Sequence, residues 1–462
     1  MKVILLDLDT LRPDRMSCYG HGAPTTPNLD RLAERGVRYT RSHCVDSPCI
    51  PSRASLVAGR YGVCHGAIDF GTDSQFFRPT PLEGRTEGQR FMDELTLPFA
   101  LFKQRVRCAT VSTFGKHPAA FFFHGWDQVI TPHEPDGPEL ADLLSEEQRR
   151  EHDLFNPQCE GMQTVRGEQV VDEAIDWVNR YHDDDFFLHV HLWDPHTPYA
   201  PPAEDLEAFA DTPDLPFPRD EQLGEVKPAR FRDRGKLHKA LQHYDAEIHY
   251  ADRQVGRLID RIEELGLTDD TVFIMTSDHG EEFGEKGICI EHGSVYEGTA
   301  RIPLIIAGPG IEPGVCDSLV GNVDIAPTVM GLFGRPCPAE WQGVDLKPTF
   351  ADASASTRDE LLLSHAVFGR QRALIRGRHK LVRTYEPFHG VHVPGHELYD
   401  LENDPHEQHD IVSERPAVAV ELQWAMDRIV TELLRGRPDP LLTRHGQPTW
   451  KHQTDAQRRV YR

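Results

Sequence analysis

Short apolar segments that end abruptly in polar residues recur along the chain and predict buried β-strands. Each segment has the length of a strand, and the nearly unbroken hydrophobicity is typical of parallel strands covered on both faces. The segments lie at residues 2–10, 108–113, 186–194, 271–280 and 302–308. We therefore expect a mostly parallel sheet that is buried between helices.

The segment from Leu237 to Leu265 has the spacing of an amphipathic helix. Its apolar residues recur alternately four and three positions apart, which places them on one face of a helix. Gly266 follows directly and is suited to the left-handed conformation that often ends a helix. A closing helix is expected at about 415–435. Because helical patterns alternate with strands, the chain is predicted to be α/β, with an α/β/α sandwich.

The C-terminal part of the chain predicts a second, smaller unit. Residues 351–359 are small and polar, as in a linker. Residues 372–385 and 396–410 then resemble strands and a turn. We expect a catalytic domain over 1–350 and a C-terminal α+β subdomain over 360–462.

Two stretches rich in proline or charge interrupt the predicted pattern. Residues 131–160 are acidic, and residues 198–235 contain seven prolines. We expect both to be surface insertions near the mouth of a binding site, without a fixed structure that the sequence defines.

Composition and charge limit the classes of partner. The 462 residues are 27% charged and 39% hydrophobic, with a formal net charge of −24. This acidity argues against a nucleic-acid partner, since phosphate binding needs a basic surface. It leaves an anionic substrate open, because a few cations inside one pocket can reverse the local field.

The sequence pattern leads us to expect neither membrane insertion nor secretion. No apolar run approaches the roughly 18 residues that a membrane helix needs. The N-terminal segment lacks a small-residue cleavage site and is interpreted as the first strand. The 9 cysteines are therefore expected to be reduced thiols, and the protein is expected to be cytoplasmic.

Three predicted strands end in side chains that can bind a metal ion. The pairs are Asp7 with Asp9, Asp194 with His196, and Asp278 with His279. The carboxyl ends of parallel strands meet at one edge of an α/β sheet, where ligands bind. Carboxylates gathered there repel each other unless a cation neutralises them, so a metal ion is expected. The alternative is that each aspartate merely caps the helix that follows it.

The segment CIPSRASLVAGR begins at Cys49, a cysteine whose role the residue types alone leave open. A cysteine-dependent phosphatase would place its arginine six positions later, whereas Arg53 comes four positions later. A zinc site with Cys44 and Cys64 would not have a common spacing. A buried structural thiol is the remaining alternative.

This segment resembles the sulfatase signature, Cys-x-Pro-Ser-Arg followed by Gly-Arg. Segments similar to others of the family follow the family's order, among them LDTLRPDRMSCYG, DPHTPYAPP, TSDHGEEFGE and YEGTARIPLIIAGPG. The resemblance implies an alkaline-phosphatase-like fold and hydrolysis of a sulfate monoester. It also implies that a formylglycine-generating enzyme oxidises Cys49 to formylglycine (3-oxoalanine), whose hydrate is the nucleophile.

The resemblance further implies one divalent metal ion, with the ligands Asp9, Cys49, Asp278 and His279. Where the family often has a second aspartate this chain has Thr10, and where it often has asparagine this chain has His279. The family implies calcium, whereas an imidazole ligand favours manganese or zinc. Asp7 shares a strand face with Asp9 and could compensate for the missing aspartate.

Arg53, Lys116 and His117 match family positions around the nucleophile and the sulfate. Arg53 would hold the formylglycine hydrate, and Lys116 would contact the sulfate. His117 would take the proton that triggers sulfate release, although the segment FGKHP is a shortened form of the family's Gly-Lys-Trp-His.

His196 and His292 share the candidacy for the acid that protonates the leaving group. His196 matches a histidine that contacts the sulfate and the leaving oxygen. Next to His292, Glu291 stands where the family often has lysine, which removes one sulfate-binding cation. His189 and His191 alternate along a predicted strand and are expected to be structural.

Two alternative functions are considered, because this chain departs from the family's pattern at several positions. Asp278 and His279 also resemble the phosphonate monoester hydrolase branch, which would make the chain a phosphonate or phosphate mono- or diesterase on the same scaffold. A non-catalytic sulfate- or carbohydrate-binding relative would leave Cys49 unmodified. The expected substrate is a small-molecule or saccharide sulfate ester, and a homo-oligomer is left open.

Overall fold

The computed structural model describes residues 1–70, 95–113, 125–132, 166–227, 229–367, 369–387, 391 and 393–443. Lys116, His117 and most of the predicted insertion at 131–160 lie outside the described residues.

The strands and α-helices of the described residues follow in chain order. The strands are β1 (Lys2–Leu8), β2 (Gly36–His43), β3 (Asp46–Ser47), β4 (Arg107–Ser112), β5 (Gln128–Ile130), β6 (Phe186–Leu192), β7 (Thr271–Thr276), β8 (Glu282–Phe283), β9 (Cys289–Glu291), β10 (Leu304–Ala307), β11 (Gly314–Gly321), β12 (Glu360–His365), β13 (Arg370–Arg376), β14 (His379–Glu386) and β15 (His396–Asp400). The helices are α1 (Pro27–Glu34), α2 (Cys49–Ala58), α3 (Gly62–His65), α4 (Leu97–Lys103), α5 (Gly167–Tyr181), α6 (Ala203–Ala208), α7 (Arg234–Glu264), α8 (Glu297–Ala300), α9 (Ile325–Leu332), α10 (Pro348–Ala351), α11 (Pro416–Leu434) and α12 (Pro440–Thr443).

A mostly parallel sheet forms the centre of the fold. Within the described ranges its order is β11–β2–β10–β7–β1–β6–β4–β5. Strand β10 runs antiparallel to both of its neighbours, β2 and β7, and the other pairs are parallel. All five predicted strand segments form strands of this sheet, so the predicted α/β class is confirmed.

Helices cover both faces of the sheet because successive residues of β1 point to opposite sides. Ile4, Leu6 and Leu8 pack in the core that contains residues of α1, α5 and α7. Val3 and Leu5 pack in the core that contains residues of α2, α4 and α9. The alternation places Asp7 on the α2 side, which is the side that carries Arg53. This is the predicted α/β/α sandwich.

Helix α7 confirms the helix that the sequence predicts over 237–265. It begins after Asp233, whose side chain accepts a hydrogen bond from the Lys236 N–H at 3.0 Å. Its end is marked by Gly266, which has a φ of +69° and whose N–H bonds to Glu263 O at 2.9 Å. Helix α6, inside the predicted insertion at 198–235, packs against α7.

A second sheet has the order β15–β14–β13–β12–β3 and packs against α11. Its neighbours are antiparallel except β12 and β3, which are parallel. Since β3 lies just before Cys49 in the chain, this sheet is tied directly to the start of α2. The division into domains at 351–359 stays a prediction. None of the helices in the described ranges combines the length and hydropathy that crossing a membrane requires.

Candidate active site

The four residues expected to bind a metal ion come together at the carboxyl end of the central strands. Asp9 follows β1, Asp278 and His279 follow the neighbouring strand β7, and Cys49 is the first residue of α2. All four are buried, and one ligand atom from each lies within 4.8 Å of all the others. We call Asp9, Cys49, Asp278 and His279 the four-residue group.

The hydrogen bonds of His279 leave one ring nitrogen available as a ligand. Its Nδ1 lies 2.8 Å from the carbonyl oxygen of Gly280, which can only accept, so Nδ1 carries the proton. The lone pair of Nε2 then faces Cys49 Sγ at 3.1 Å and Asp278 Oδ2 at 3.3 Å. A backbone carbonyl that fixes the tautomer in this way is typical of metal-binding histidines.

Arg53 lies between three carboxylates in the same buried space. Its Nε is 3.0 Å from Asp7 Oδ2, its Nη2 is 2.9 Å from Asp9 Oδ2, and its Nη1 is 2.9 Å from Asp278 Oδ2. Burial disfavours the charged forms of Asp7 and Asp9, but the guanidinium holds the pKa of both below its ordinary value. Burial and the two other carboxylates raise the pKa of Asp278 despite Arg53.

The donor set fits a divalent cation. Three carboxylates against one guanidinium leave two negative charges, which is the charge that one divalent ion neutralises. Asp9 Oδ1 is buried and accepts no hydrogen bond from the described residues, and Asp278 Oδ2 is buried with the Arg53 ion pair as its charged contact. A buried acceptor without a donor is costly, and a metal ion would satisfy Asp9 Oδ1.

Asp7, considered as a compensating ligand, lies behind Arg53 and outside the four-residue group. Its Oδ2 contacts Arg53 and lies 3.4 Å from His189 Nε2. In this arrangement Asp7 orients the guanidinium, which then reaches Asp9 and Asp278.

His196 and His292 border the four-residue group. The ring centroid of His292 is 4.3 Å from that of His279 and 5.2 Å from that of His196. His196 Nδ1 lies 2.6 Å from the carbonyl oxygen of Thr197, so its Nε2 bears the lone pair. Burial lowers the pKa of both histidines, and nearby Asp9 works in the opposite direction.

His191 and Glu281 also lie at the site, although the sequence did not single them out for it. His191 Nε2 is 2.7 Å from Arg53 Nη2, and burial lowers its pKa to about 4. Glu281 is fully buried, lies 3.3 Å from His292 Nδ1, and has its pKa raised by burial to about 8. One feature of the sequence could have indicated the role of His191: it lies two residues after His189 and therefore on the same face of the strand.

Asp194 lies apart from the four-residue group. Its Oδ2 accepts a hydrogen bond at 2.9 Å from the N–H of Gly167, the first residue of α5. Asp194 therefore bonds to the start of the helix that precedes β6, not to the start of the following helix as the capping alternative expected. The expected contacts of Lys116 and His117 fall outside the described residues and stay predictions.

Comparisons with known proteins cover nearly the whole chain. The Sulfatase family model matches residues 2–335, and the model for N-sulphoglucosamine sulphohydrolase, C-terminal, matches residues 284–433. An arylsulfatase of Clostridium perfringens is 24% identical over 440 residues, which span 89% of this chain and 90% of the relative.

Two solved structures share the fold. A protein in complex with its substrate D-glucosamine-2-N,6-O-disulfate superposes with a TM-score of 0.73 and 20% identity, covering 95% of this chain and 99% of that one. The phosphonate monoester hydrolase of Agrobacterium radiobacter has a TM-score of 0.69 and 22% identity, covering 96% and 97%. These likenesses establish the alkaline-phosphatase-like architecture.

Proposed function

Because the chain belongs to the sulfatase family and is a sulfuric ester hydrolase, we propose that its nucleophile is formylglycine derived from Cys49, acting with one divalent metal ion. The observation that carries the proposal is the four-residue group, which places residue 49 among two carboxylates and an imidazole. The test is an assay of the modified protein with a nitrophenyl sulfate. We expect hydrolysis, and we expect it to be lost when a chelator removes the metal ion.

The surrounding side chains supply orientation and charge. The hydrate of formylglycine would supply two geminal hydroxyls: one would attack sulfur as the alcohol leaves, and the other would then lose its proton and expel sulfate, which restores the aldehyde. A divalent ion would lower the pKa of the attacking hydroxyl and screen the sulfate charge. Arg53, fixed by three carboxylates, presents its positive charge beside residue 49 and contributes to the pocket for an anion.

The identity of the metal ion is part of the proposal. Calcium is the ion that the family resemblance implies. The Nε2 lone pair of His279 faces the group, and a nitrogen ligand favours manganese or zinc over calcium. Elemental analysis of the purified protein decides between these ions.

His196 is proposed to protonate the leaving oxygen. It stands at the border of the four-residue group, and its Nδ1 is committed to a backbone carbonyl, so Nε2 is the atom that can carry a proton to the substrate. His292 is the other candidate, because its ring is close to both other rings: its centroid is 5.2 Å from that of His196 and 4.3 Å from that of His279.

Replacing His196 with alanine should slow alkyl sulfates far more than nitrophenyl sulfate. An acid helps most when the leaving group is poor, and we expect a loss of about 10²–10⁴-fold for alkyl sulfates. The measurement is kcat/KM for both ester types, with His182→Ala, a partly exposed histidine at the end of α5, as the control. Equal losses on both esters would show that His196 binds sulfate and would leave His292 as the acid.

A phosphonate or phosphate esterase is the second candidate function. It is favoured by His279 after Asp278, by Thr10 in place of a second aspartate, and by the structural likeness to a phosphonate monoester hydrolase. A sulfate and a phosphonate ester with the same phenol leaving group should be compared under identical metal loading. A higher kcat/KM for the phosphonate ester would make phosphonate hydrolysis the preferred activity of this chain.

The substrate class is proposed to be a small-molecule or saccharide sulfate ester. A structural relative was solved with a sulfated glucosamine as its substrate. A panel of aryl, alkyl and saccharide sulfates, assayed by sulfate release, would rank these classes.

A further inference from the structure

The thiol of Cys49 lies close to two imidazole rings that come from another part of the chain. Cys49, His279 and His292 are buried, and one ligand atom from each lies within 4.8 Å of the other two. We call these three residues the thiol–imidazole group. It shares Cys49 and His279 with the four-residue group, and it has His292 in place of the two aspartates.

Both histidines of this group have a hydrogen-bond partner behind the ring. His279 Nδ1 donates to the Gly280 carbonyl at 2.8 Å. His292 Nδ1 lies 3.3 Å from Glu281 Oε1, and Glu281 Oε2 accepts the hydroxyl of Tyr199 at 3.3 Å. When Nδ1 of each ring donates in this way, Nε2 keeps its lone pair. A carbonyl or carboxyl group behind the imidazole is typical of histidines that bind metal ions.

The contact between Cys49 and His279 shows where a metal ion could replace a proton. Sγ lies 3.1 Å from Nε2, and because Nε2 carries the lone pair, the S–H group is the donor. Zinc bonds of about 2.3 Å to sulfur and about 2.0 Å to nitrogen would hold these atoms about 3.5 Å apart at a tetrahedral angle. The two side chains would therefore need to separate by only a few tenths of an ångström.

Asp278 can complete a tetrahedral set of ligands. Its Oδ2 lies 3.3 Å from His279 Nε2. One thiolate, two imidazoles and one carboxylate are ligands that zinc accepts, and four is its usual number. The same space holds three carboxylates around the single guanidinium of Arg53, so it attracts a cation whatever the state of residue 49.

The chemical state of residue 49 should decide which class of ion is held. A thiolate is a soft ligand, and together with imidazole nitrogen it favours zinc over calcium or magnesium. The hydrate of formylglycine would offer oxygen instead, and oxygen ligands suit the harder ions. Oxidation of Cys49 would thus change the ligand preference of the site, while the imidazoles stay the same.

We propose that the chain binds zinc while residue 49 is still a cysteine, through Cys49, His279 and His292, with Asp278 as the fourth ligand. Sγ binds as the thiolate, so one thiol proton is released to solvent for each zinc ion bound. The contrast with the modified protein rests on the proposed function, in which formylglycine and the four-residue group hold the catalytic ion.

Cobalt is a suitable probe, because its absorption spectrum reports both the ligands and the geometry. The protein should be produced without the formylglycine-generating enzyme, stripped of metal and titrated with Co²⁺. We expect one ion per chain, an intense near-ultraviolet band from thiolate-to-cobalt charge transfer, and the strong visible bands of tetrahedral cobalt. Zinc should displace the cobalt and abolish both features. The zinc affinity is then measured by competition with a chromophoric chelator.

His292→Ala separates the two groups of ligands. In the unmodified protein it should weaken zinc binding by more than the roughly 10–100-fold that the loss of an outer partner costs. In the modified protein it should leave the metal content unchanged. Cys49→Ser, which is nearly the same size, should abolish the charge-transfer band, and it tests the sulfur ligand even where His292→Ala does not fold. His182→Ala, a partly exposed histidine, is the control and should bind zinc like the wild type.

Three results would overturn the proposal. One is the absence of a charge-transfer band when the unmodified protein is titrated with Co²⁺. Another is an unchanged zinc affinity in folded His292→Ala, which would leave the ion with the four-residue group. The third is an equal loss of metal from the modified and unmodified forms of His292→Ala. These measurements need no sulfatase activity, so their outcome is distinguishable from a failure of the proposed function.

Discussion

Replacing Cys49 with alanine should lower kcat/KM for a sulfate monoester by about 10⁴–10⁶-fold, the range seen when a nucleophile is removed. Residue 49 is the first residue of α2, and its side chain points into the four-residue group. Alanine offers no atom that can be converted to formylglycine or that can attack sulfur. The measurement is steady-state hydrolysis of nitrophenyl sulfate by wild type and variant, both produced with the modifying enzyme.

Cys64→Ala is a matched control for this experiment. Cys49 and Cys64 are each 6% exposed, so their loss removes a similar amount of buried surface. Cys64 lies in α3, with its Sγ 3.7 Å from the Leu433 carbonyl, and it takes no part in the four-residue group. Activity retained by Cys49→Ala would place the nucleophile elsewhere, and equal losses in both variants would indicate misfolding.

Replacing Asp278 with asparagine should remove the metal ion together with the activity. The change deletes one of the carboxylates around Arg53 and weakens an oxygen ligand. We expect metal affinity to fall by more than the roughly 10–100-fold that the loss of an outer partner costs. Elemental analysis should find about one divalent ion per chain in the wild type and much less in the variant.

Asp7→Asn is the informative comparison for Asp278→Asn. Asp7 contacts the same guanidinium but lies outside the four-residue group. It should therefore keep most of the metal while slowing turnover, because Arg53 loses one of its three anchors. Full metal content in Asp278→Asn would contradict the metal site, and loss of metal in Asp7→Asn would make Asp7 a ligand.

The strands at the centre of the sheet could be predicted from the sequence, and those at its two sides, β11 and β2 on one side and β5 on the other, could not. Strand β1 is buried along its whole length, so its residues are almost uniformly apolar. Strands β2 and β11 were not identified, because polar residues such as the half-buried Arg38 and the exposed Asp317 interrupt their apolar pattern. The pairing of β2 with β10 and with β11 is a long-range property that no local window contains.

The same distinction applies to the site. Asp9, Asp278 and His279 could be grouped because they follow buried strands whose carboxyl ends must meet at one edge. The role of His191 depends on register, since it lies opposite Asp7 in the pairing of β1 with β6. Asp194 has the same local pattern as the ligands, and only the neighbouring helix α5 shows that it has another partner.

Mass spectrometry of the peptide that carries residue 49 tests the proposed nucleophile most directly. The protein should be produced with and without a formylglycine-generating enzyme, and sulfatase activity should be measured on the same two samples. We expect the aldehyde or its hydrate at residue 49 in the active sample and the unmodified thiol in the inactive one. An active sample in which Cys49 remains entirely a thiol would contradict the proposal.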